Sequence, residues 1–231
     1  MVKLLLSERD RQEIEVAVRV AEARSSGQII CVIDEEASDY REISLLWAAG
    51  ISLAAPLVPL TIGAIVLGVR DAFQGWSEFN GPSISPIFLL AAYATLQVAA
   101  FLLVALVVGI PAVRRALTPR SIKQRFVKGR AIEMFELKQV AKTSERTGLL
   151  LYLSLKDRCA ELVVDRALDA KVPSGEWQRI VRTLIHNIRR GHAAAAVGAA
   201  IRECGELLEQ HFPAGSAGHN ELPDAITVLP R

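Results

Sequence analysis

The acidic residues that follow the predicted third strand are the side chains whose types and spacing could do chemistry. Asp165 and Asp169 come after the apolar run Cys159–Val164, with Lys171 close behind. Carboxylate oxygens at a strand end hold divalent cations, and a bound cation polarises a phosphoryl oxygen or activates water. Glu145 lies just before the apolar run Gly148–Leu155 and would approach Asp165 and Asp169 across a β-hairpin. Glu145, Asp165 and Asp169 are therefore the candidate metal ligands.

Exposed ion pairs are the competing interpretation of these acids. Asp165 could pair with Arg166 or Arg146, and such surface pairs are common and nearly neutral in energy. The acidic run from Asp34 to Asp39 has the same two interpretations, a cation site or a solvated loop, but it lacks the ligand spacing and central glycine of a calcium loop. No catalytic residue is predicted from these patterns alone.

The common signatures of other enzyme classes are absent from the sequence. It contains no glycine-rich phosphate loop, no Gly-x-Ser-x-Gly and no His-Glu-x-x-His. The four histidines share no ligand spacing, whereas a histidine metal site needs at least three convergent donors. Nucleotide-binding, esterase and metalloprotease functions are therefore not predicted.

Two long apolar segments, residues 43–69 and 87–113, run without a charged side chain. A helix rises about 1.5 Å per residue, so roughly 20 residues cross the ~30 Å hydrocarbon core of a bilayer. Too little chain remains to bury two such helices inside a soluble core. The sequence predicts a transmembrane helical hairpin with a connecting loop at residues 70–86, and hence the lipid bilayer as a partner.

Basic residues concentrate directly after the second segment and set the predicted orientation. They run from Arg114 to Arg130, whereas the connecting loop holds only Arg70. By the positive-inside rule this flank is cytoplasmic, and an even number of spans puts both termini there. Because the net charge is only +2, the basic cluster is interpreted as topology and attraction to anionic lipid. No nucleic-acid partner is predicted.

The remaining sequence predicts one small α/β domain that the hairpin interrupts. Its order is helix, strand, hairpin, helix, strand, strand, helix, helix. A lone strand before the hairpin cannot form a stable sheet, so the pieces on both sides fold together. The predicted organisation is residues 1–42 and 114–213 as one domain, 43–113 as the inserted hairpin and 214–231 as a loose tail.

Several local details follow from turn and cap chemistry. Ser7 is predicted to cap the first helix and Gly27 to end it. Thr118 is predicted to cap the helix that begins at Pro119. In the β-hairpin, pairing Leu155 with Cys159 would put Leu149 opposite Asp165. The three cysteines, an odd number without Cys-x-x-Cys spacing, are predicted to be small core side chains.

Outside the two spans the chain resembles the TPM domain family, also called TPM phosphatase domains, and in particular its bacterial membrane-anchored members. The matching pieces are the opening helix from Leu6, the runs Gly27–Val32, Gly148–Ser154 and Lys156–Asp165, and the paired C-terminal helices to Phe212. The resemblance implies a compact α/β sandwich, and some members have been assigned metal binding or acid phosphatase activity. Two motifs differ: the family's Asp-Asn-Gly reads Arg146-Thr147-Gly148, and its Val-Gly-x-Gly reads Val164-Asp165-Arg166-Ala167.

Two functional hypotheses follow. The first is a bacterial inner-membrane protein, with two spans and both termini cytoplasmic, whose TPM-like domain is an interaction or scaffold module for a protein partner. It needs no cofactor. The second is a weak phosphatase that acts at the membrane surface and depends on a divalent cation such as Ca²⁺ or Mg²⁺. Whether the chain is an enzyme stays open at the level of sequence.

Overall fold

The computed structural model describes residues 7–55, 57–58, 61–62, 65, 85–142, 146–214 and 227–229. The chain forms two compact units, one from residues 1–38 and 119–231 and the other from residues 39–118. In chain order the helices and strands are α1 (Glu8–Glu22), β1 (Gln28–Asp34), α2 (Arg41–Ala54), α3 (Pro86–Gly109), α4 (Pro111–Leu117), α5 (Arg120–Leu137), a 3₁₀ turn (Val140–Lys142), β2 (Gly148–Ser154), β3 (Cys159–Val164), α6 (Arg166–Lys171), α7 (Ser174–Arg189), α8 (Ala193–His211) and β4 (Thr227–Leu229).

A four-stranded mixed sheet with the order β3-β2-β1-β4 is the centre of the first unit. β1 and β2 pair in parallel, with Gln28 opposite Gly148, and β3 returns antiparallel to β2. Strands covered on both faces read as continuous apolar runs, as β1 and β2 do. The predicted α/β class is confirmed.

The central strands contribute side chains to two hydrophobic cores, because successive side chains point to opposite faces of a sheet. One face packs against α1, α7 and α8, and the other packs against α5. The first core includes Ile29, Cys31, Ile33, Leu149, Leu151, Leu153, Trp177, Ile180, Leu184, Val197, Ile201 and Cys204. The second includes Ile30, Val32, Val127, Ala131, Met134, Leu150 and Tyr152.

The first helix begins as predicted but ends earlier. Ser7 and Asp10 form a reciprocal capping box at its start, and the helix closes at Ala23. Gly27 is not its stop. A side-chain carbon at Gly27 would lie 2.8 Å from a methyl carbon of Leu208, so a larger residue there would displace this side chain of α8.

The predicted cap at Thr118 is also wrong. Its hydroxyl donates to the carbonyl of Arg114 at 2.8 Å and so closes α4, while Pro119 takes the position before α5. Threonine hydroxyls commonly bond back to the carbonyl four residues earlier, which competes with capping of the next helix.

The register of the β2–β3 hairpin differs from the prediction by one residue. Ser154 pairs with Cys159, and Leu149 lies opposite Val164. Leu155 lies beyond the last pair of this ladder, and its backbone N–H donates to the carbonyl of Asp34 at 3.0 Å. The turn is completed by Arg158, which is in the left-handed region with φ 52°.

The predicted loose tail contains a strand. Thr227–Leu229 form β4, which pairs in parallel with Val32–Asp34 at the second edge of the sheet. Thr227 and Val228 are β-branched, which suits a strand. At three residues, the run is too short to stand out by periodicity.

In the second unit α2 packs against α3, and the small Ala48 is completely buried. Within the described residues, one helical stretch, Leu90–Gly109, is long and apolar enough to cross a membrane, and little of it is buried. That low burial argues against the core helix of a soluble protein. Leu45–Ala54 is a shorter apolar helix.

The continuous helix ends before the predicted end of the second span at residue 113. Ile110 is extended, and Pro111 opens α4, since the residue before a proline is disfavoured in the helical region. The predicted loop at residues 70–86, apart from Ser85 and Pro86, lies outside the described residues, as does much of the first span beyond Ala55.

All three cysteines are unpaired and buried. Burial raises the pKa of the Cys31 thiol to about 12, and it also raises the pKa values of Cys159 and Cys204. Since the thiolate is the reactive form, we expect none of the three to react rapidly with a disulfide reagent at pH 8 in the folded protein. All three should react in urea. One rapidly labelled thiol in the native state would contradict this prediction.

Candidate functional site

An open groove of about 580 Å³ lies at the β3 edge of the sheet. We call it the β3 groove. Its lining comes from α5, β3 and α7, and comprises Ser121, Gln124, Arg125, Lys128, Ala160, Glu161, Leu162, Trp177, Gln178, Val181, Arg182 and Ile185. The order of the strands explains the groove, because β3 has a neighbour on one side only.

The walls of the groove are formed by residues on one face of α5 and one face of α7. On α5 the lining residues Ser121, Arg125 and Lys128 recur at intervals of three and four, which puts them on one face of a helix. On α7 the half-buried Val181 and Ile185 are one turn apart and extend the apolar stripe toward the groove. The groove therefore has an apolar floor and a polar rim.

The rim of the groove is mainly basic. Arg125, Lys128 and Arg182 are exposed, and none of them forms a salt bridge in the described part of the chain. The one acidic residue in the lining is Glu161. Burial raises the pKa of its carboxyl, and the nearby charge of Lys128 acts in the opposite direction.

The outer edge of β3 presents main-chain groups to the groove. The N–H of Asp165 donates to the carbonyl of Gly148 at 2.9 Å, which fixes the alternation of bonded and non-bonded pairs along the antiparallel ladder. The inward-facing N–H and C=O groups then belong to the odd-numbered residues of β3. The outward-facing groups belong to Ala160, Leu162 and Val164.

The candidate acids lie after β3, around α6. One carboxylate oxygen of Asp165 accepts from the N–H of Arg166 at 2.7 Å, so that Asp165 caps α6. Asp169 is exposed on that helix. Lys171 lies over the ring of Phe212, with 4.2 Å from Nζ to the ring centroid. Glu145 lies outside the described residues.

This placement differs from the ion pair between Asp165 and Arg166 considered from the sequence, while a metal site that includes Glu145 stays a prediction. Asp165 is 7% exposed and bonds the backbone of Arg166 rather than its guanidinium, so it is a buried cap and not a surface ion pair. In the part of the chain that the structure describes, no three His, Cys, Asp or Glu side chains converge as a metal site. The cue for the cap was Asp165 itself, a preferred residue before a helix.

A second polar cluster lies at the opposite end of the hairpin. The hydroxyl of Tyr152 donates to Asp34 at 2.8 Å. The hydroxyl of Ser154 donates to Asp157 at 2.8 Å, and the N–H of Ala37 donates to the same oxygen at 3.1 Å. These bonds tie the segment after β1 to the turn after β2.

The prediction of a solvated loop was wrong for part of the Asp34–Asp39 run. Asp34 and Glu36 are buried, whereas Glu35 reaches Lys156 in a salt bridge of 2.7 Å. Burial, together with the carboxylate of Asp34, raises the pKa of Tyr152, so this hydroxyl remains a donor. The available cue was the pair of polar residues Tyr152 and Ser154 on one face of an otherwise apolar strand.

An α/β sheet covered by helices on both faces defines the class of fold, and part of the sequence is similar to a known family. Residues 114–207 match the sequence model of a family described as TPM_phosphatase: TPM domain. This match includes the α5, β2, β3 and α7 that build the groove. These residues are similar to a TPM domain, which confirms the resemblance seen in the sequence.

A solved structure supports the same fold. It is described as the NMR structure of BA42 protein from the psychrophilic bacteria Bizionia argentinensis sp. nov., with a TM-score of 0.56 and 14% sequence identity. The similarity covers 99% of this chain and 98% of that chain. At this identity the similarity concerns the fold alone. No curated protein matches the chain.

Proposed function

We propose that this protein is a membrane-anchored interaction module whose TPM domain binds a protein partner through the β3 groove. The observation that carries the proposal is the edge strand at the bottom of an open groove, with the outward main-chain groups of Ala160, Leu162 and Val164 unpaired within the described residues. Main-chain groups of an edge strand recognise another main chain. The occupant they suit best is a polypeptide.

The proposed anchor is a two-span hairpin in a bacterial inner membrane, with both termini in the cytoplasm. Leu90–Gly109 supports one span by length and composition, and the charge-free run at 43–69 supports the other. The basic residues from Arg114 onward support the orientation. A reporter active only in the cytoplasm, fused after Arg231, should be active; an active periplasmic reporter there would contradict the orientation.

The proposed organisation is a TPM domain interrupted by this hairpin. The two compact units divide at 38/39 and 118/119, near the boundaries 42/43 and 113/114 proposed from the sequence. Both connections enter the same unit, so the domain would be held to the membrane at two points.

Photo-crosslinking in intact cells tests the proposed function. A photoreactive phenylalanine at Gln178, exposed on the rim of the β3 groove, should give a discrete adduct with another protein. The matched control is Gln12, exposed on α1 and outside the groove, where no such adduct is expected. Absence of an adduct at Gln178, or the same adducts at both positions, would contradict the proposal.

The interaction module and the phosphatase hypothesis differ in what they predict for Asp169. The interaction module gives the exposed Asp169 no catalytic role, so we expect Asp169→Ala to leave any phosphomonoester hydrolysis with Mg²⁺, Ca²⁺ or Mn²⁺ unchanged. Asp165→Ala should lower stability by about 1 kcal/mol through loss of the cap. Metal-dependent hydrolysis that disappears in Asp169→Ala, with the melting temperature unchanged, would favour the phosphatase instead.

A further inference from the structure

We propose that the partner of the β3 groove is an extended acidic polypeptide segment that adds a strand to the outer edge of β3. This inference rests on the proposed function and specifies the chemistry of the partner. Its apolar side chains would face α7, and its acidic side chains would face α5. The argument comes from the two edges of the sheet, the length of β3 and the side chains on either side of it.

The two edges of the sheet differ in whether other groups of the chain bond to them. At the β1 edge the N–H of Ile29 donates to the carboxylate of Glu22 at 2.7 Å, and β4 pairs with Val32–Asp34. The chain thus covers this edge with its own groups, as proteins commonly do to prevent unwanted pairing. Along β3 no described residue bonds to the outward groups, so this edge is available for pairing.

The length of β3 sets the length of the segment. Cys159–Val164 has six residues, which at ~3.3 Å per residue span roughly 20 Å. Ala160, Leu162 and Val164 each present an N–H and a C=O at the outer edge. An added strand of about six residues would continue the ladder, with main-chain bonds supplying affinity and alternate side chains supplying specificity.

The face toward α7 is apolar. Ala160 and Leu162 lie on the side of the sheet that packs against α7. Trp177, Val181 and Ile185 line the same side of the groove. Apolar side chains at alternate positions of an added strand would be buried there, and burial of apolar area drives association.

The face toward α5 is charged. Glu161 pairs with Tyr152, which lies in the core on the α5 side. Arg125 and Lys128 line that side of the groove, so two cations meet one carboxylate. Acidic side chains at the remaining positions of the added strand would complement this excess of positive charge. Basic side chains there would be repelled by Arg125 and Lys128, which disfavours a basic partner.

Binding of designed peptides to the full chain in detergent tests the charge requirement. The probe is a fluorescent eight-residue peptide of alternating Glu and Val, and its counterpart alternates Lys and Val. We expect the Glu probe to bind, the Lys probe not to bind, and Lys128→Glu to weaken the Glu probe by about tenfold or more. The matched control Arg202→Glu changes an exposed cation on α8 outside the groove and should leave affinity unchanged.

Two measurements test strand addition itself. Hydrogen exchange at the amides of Ala160, Leu162 and Val164 should slow when the Glu probe binds. Ala160→Pro removes only an outward N–H, which an edge strand tolerates, and it should abolish probe binding while the melting temperature changes little. If Ala160→Pro unfolds the domain, the exchange measurement on the unaltered chain decides the question.

The outcomes separate this inference from the proposed function. Equal binding of both probes, no binding of the Glu probe, or probe binding without slowed exchange at the three amides would overturn strand addition by an acidic segment. If the Gln178 adduct forms in cells but its yield is unchanged by Lys128→Glu, the protein still binds a partner, and the inference about its chemistry fails. Without any adduct, the proposed function fails as well.

Discussion

Replacing Asp157 with alanine should lower the free energy of unfolding of the α/β domain by about 3 kcal/mol. One carboxylate oxygen accepts both the hydroxyl of Ser154 and the N–H of Ala37. Asp157 and Ser154 are both buried, so truncation leaves two donors without an acceptor. The measurement is urea unfolding in mild detergent, followed by circular dichroism.

Two further variants identify the cause of that loss. Asp157→Asn keeps an acceptor in place and should cost less than the alanine variant. The double variant Ser154→Ala, Asp157→Ala should lose about 1 kcal/mol less stability than the sum of the two single variants. The reason is that Ser154→Ala removes the hydroxyl donor that Asp157→Ala leaves without an acceptor. Strict additivity would show that the Ser154 bond contributes nothing.

The second large effect is expected at Gly205, where α8 packs tightly against α1. A side-chain carbon at Gly205 would lie 2.6 Å from Cβ and 3.2 Å from Cα of Ala21. Gly205→Ala forces the helices apart, and we expect a loss of about 2 kcal/mol despite its better helix propensity. Thermal unfolding of the full chain measures this change.

Gly198 provides the matched control on the same helix. A side-chain carbon there would meet only the end of Arg202, at 3.5 Å, so Gly198→Ala should be neutral or stabilising by up to about 1 kcal/mol. Adding Ala21→Gly to Gly205→Ala should restore part of the lost stability by removing the contact. If both glycine variants behaved alike, packing between α1 and α8 would not be the cause.

The helices and strands of the α/β domain were predictable because their signals are local. β2 and β3 are apolar runs bounded by polar residues, and the stripe from Trp177 to Ile188 has a clear helical period. The register of the hairpin was missed by one residue, because the apolar Leu155 continues the pattern of the strand although the ladder ends at Ser154. The three residues of β4 were missed because their pairing depends on β1 rather than on their own pattern.

The candidate site was harder to predict than the fold. Asp165 was correctly singled out as an acid at a strand end, but its role as a helix cap depends on where α6 begins. The β3 groove could not be deduced, because the order of strands in the sheet is not a local property of the sequence. Glu161, a charge within an apolar strand, was the only cue, and it indicates an edge strand rather than a particular ligand.

The parallel pairing of β1 with β2 has a consequence for the order of events during synthesis. The bond between Ala37 and Asp157 joins residues 120 positions apart, and at ~5–20 residues per second the ribosome needs on the order of 10 s to make that stretch. Throughout this interval β1 has no partner strand, and the apolar helix α3 leaves the ribosome before β2 does. If α3 is inserted in a bilayer as proposed, it would enter before the sheet is complete.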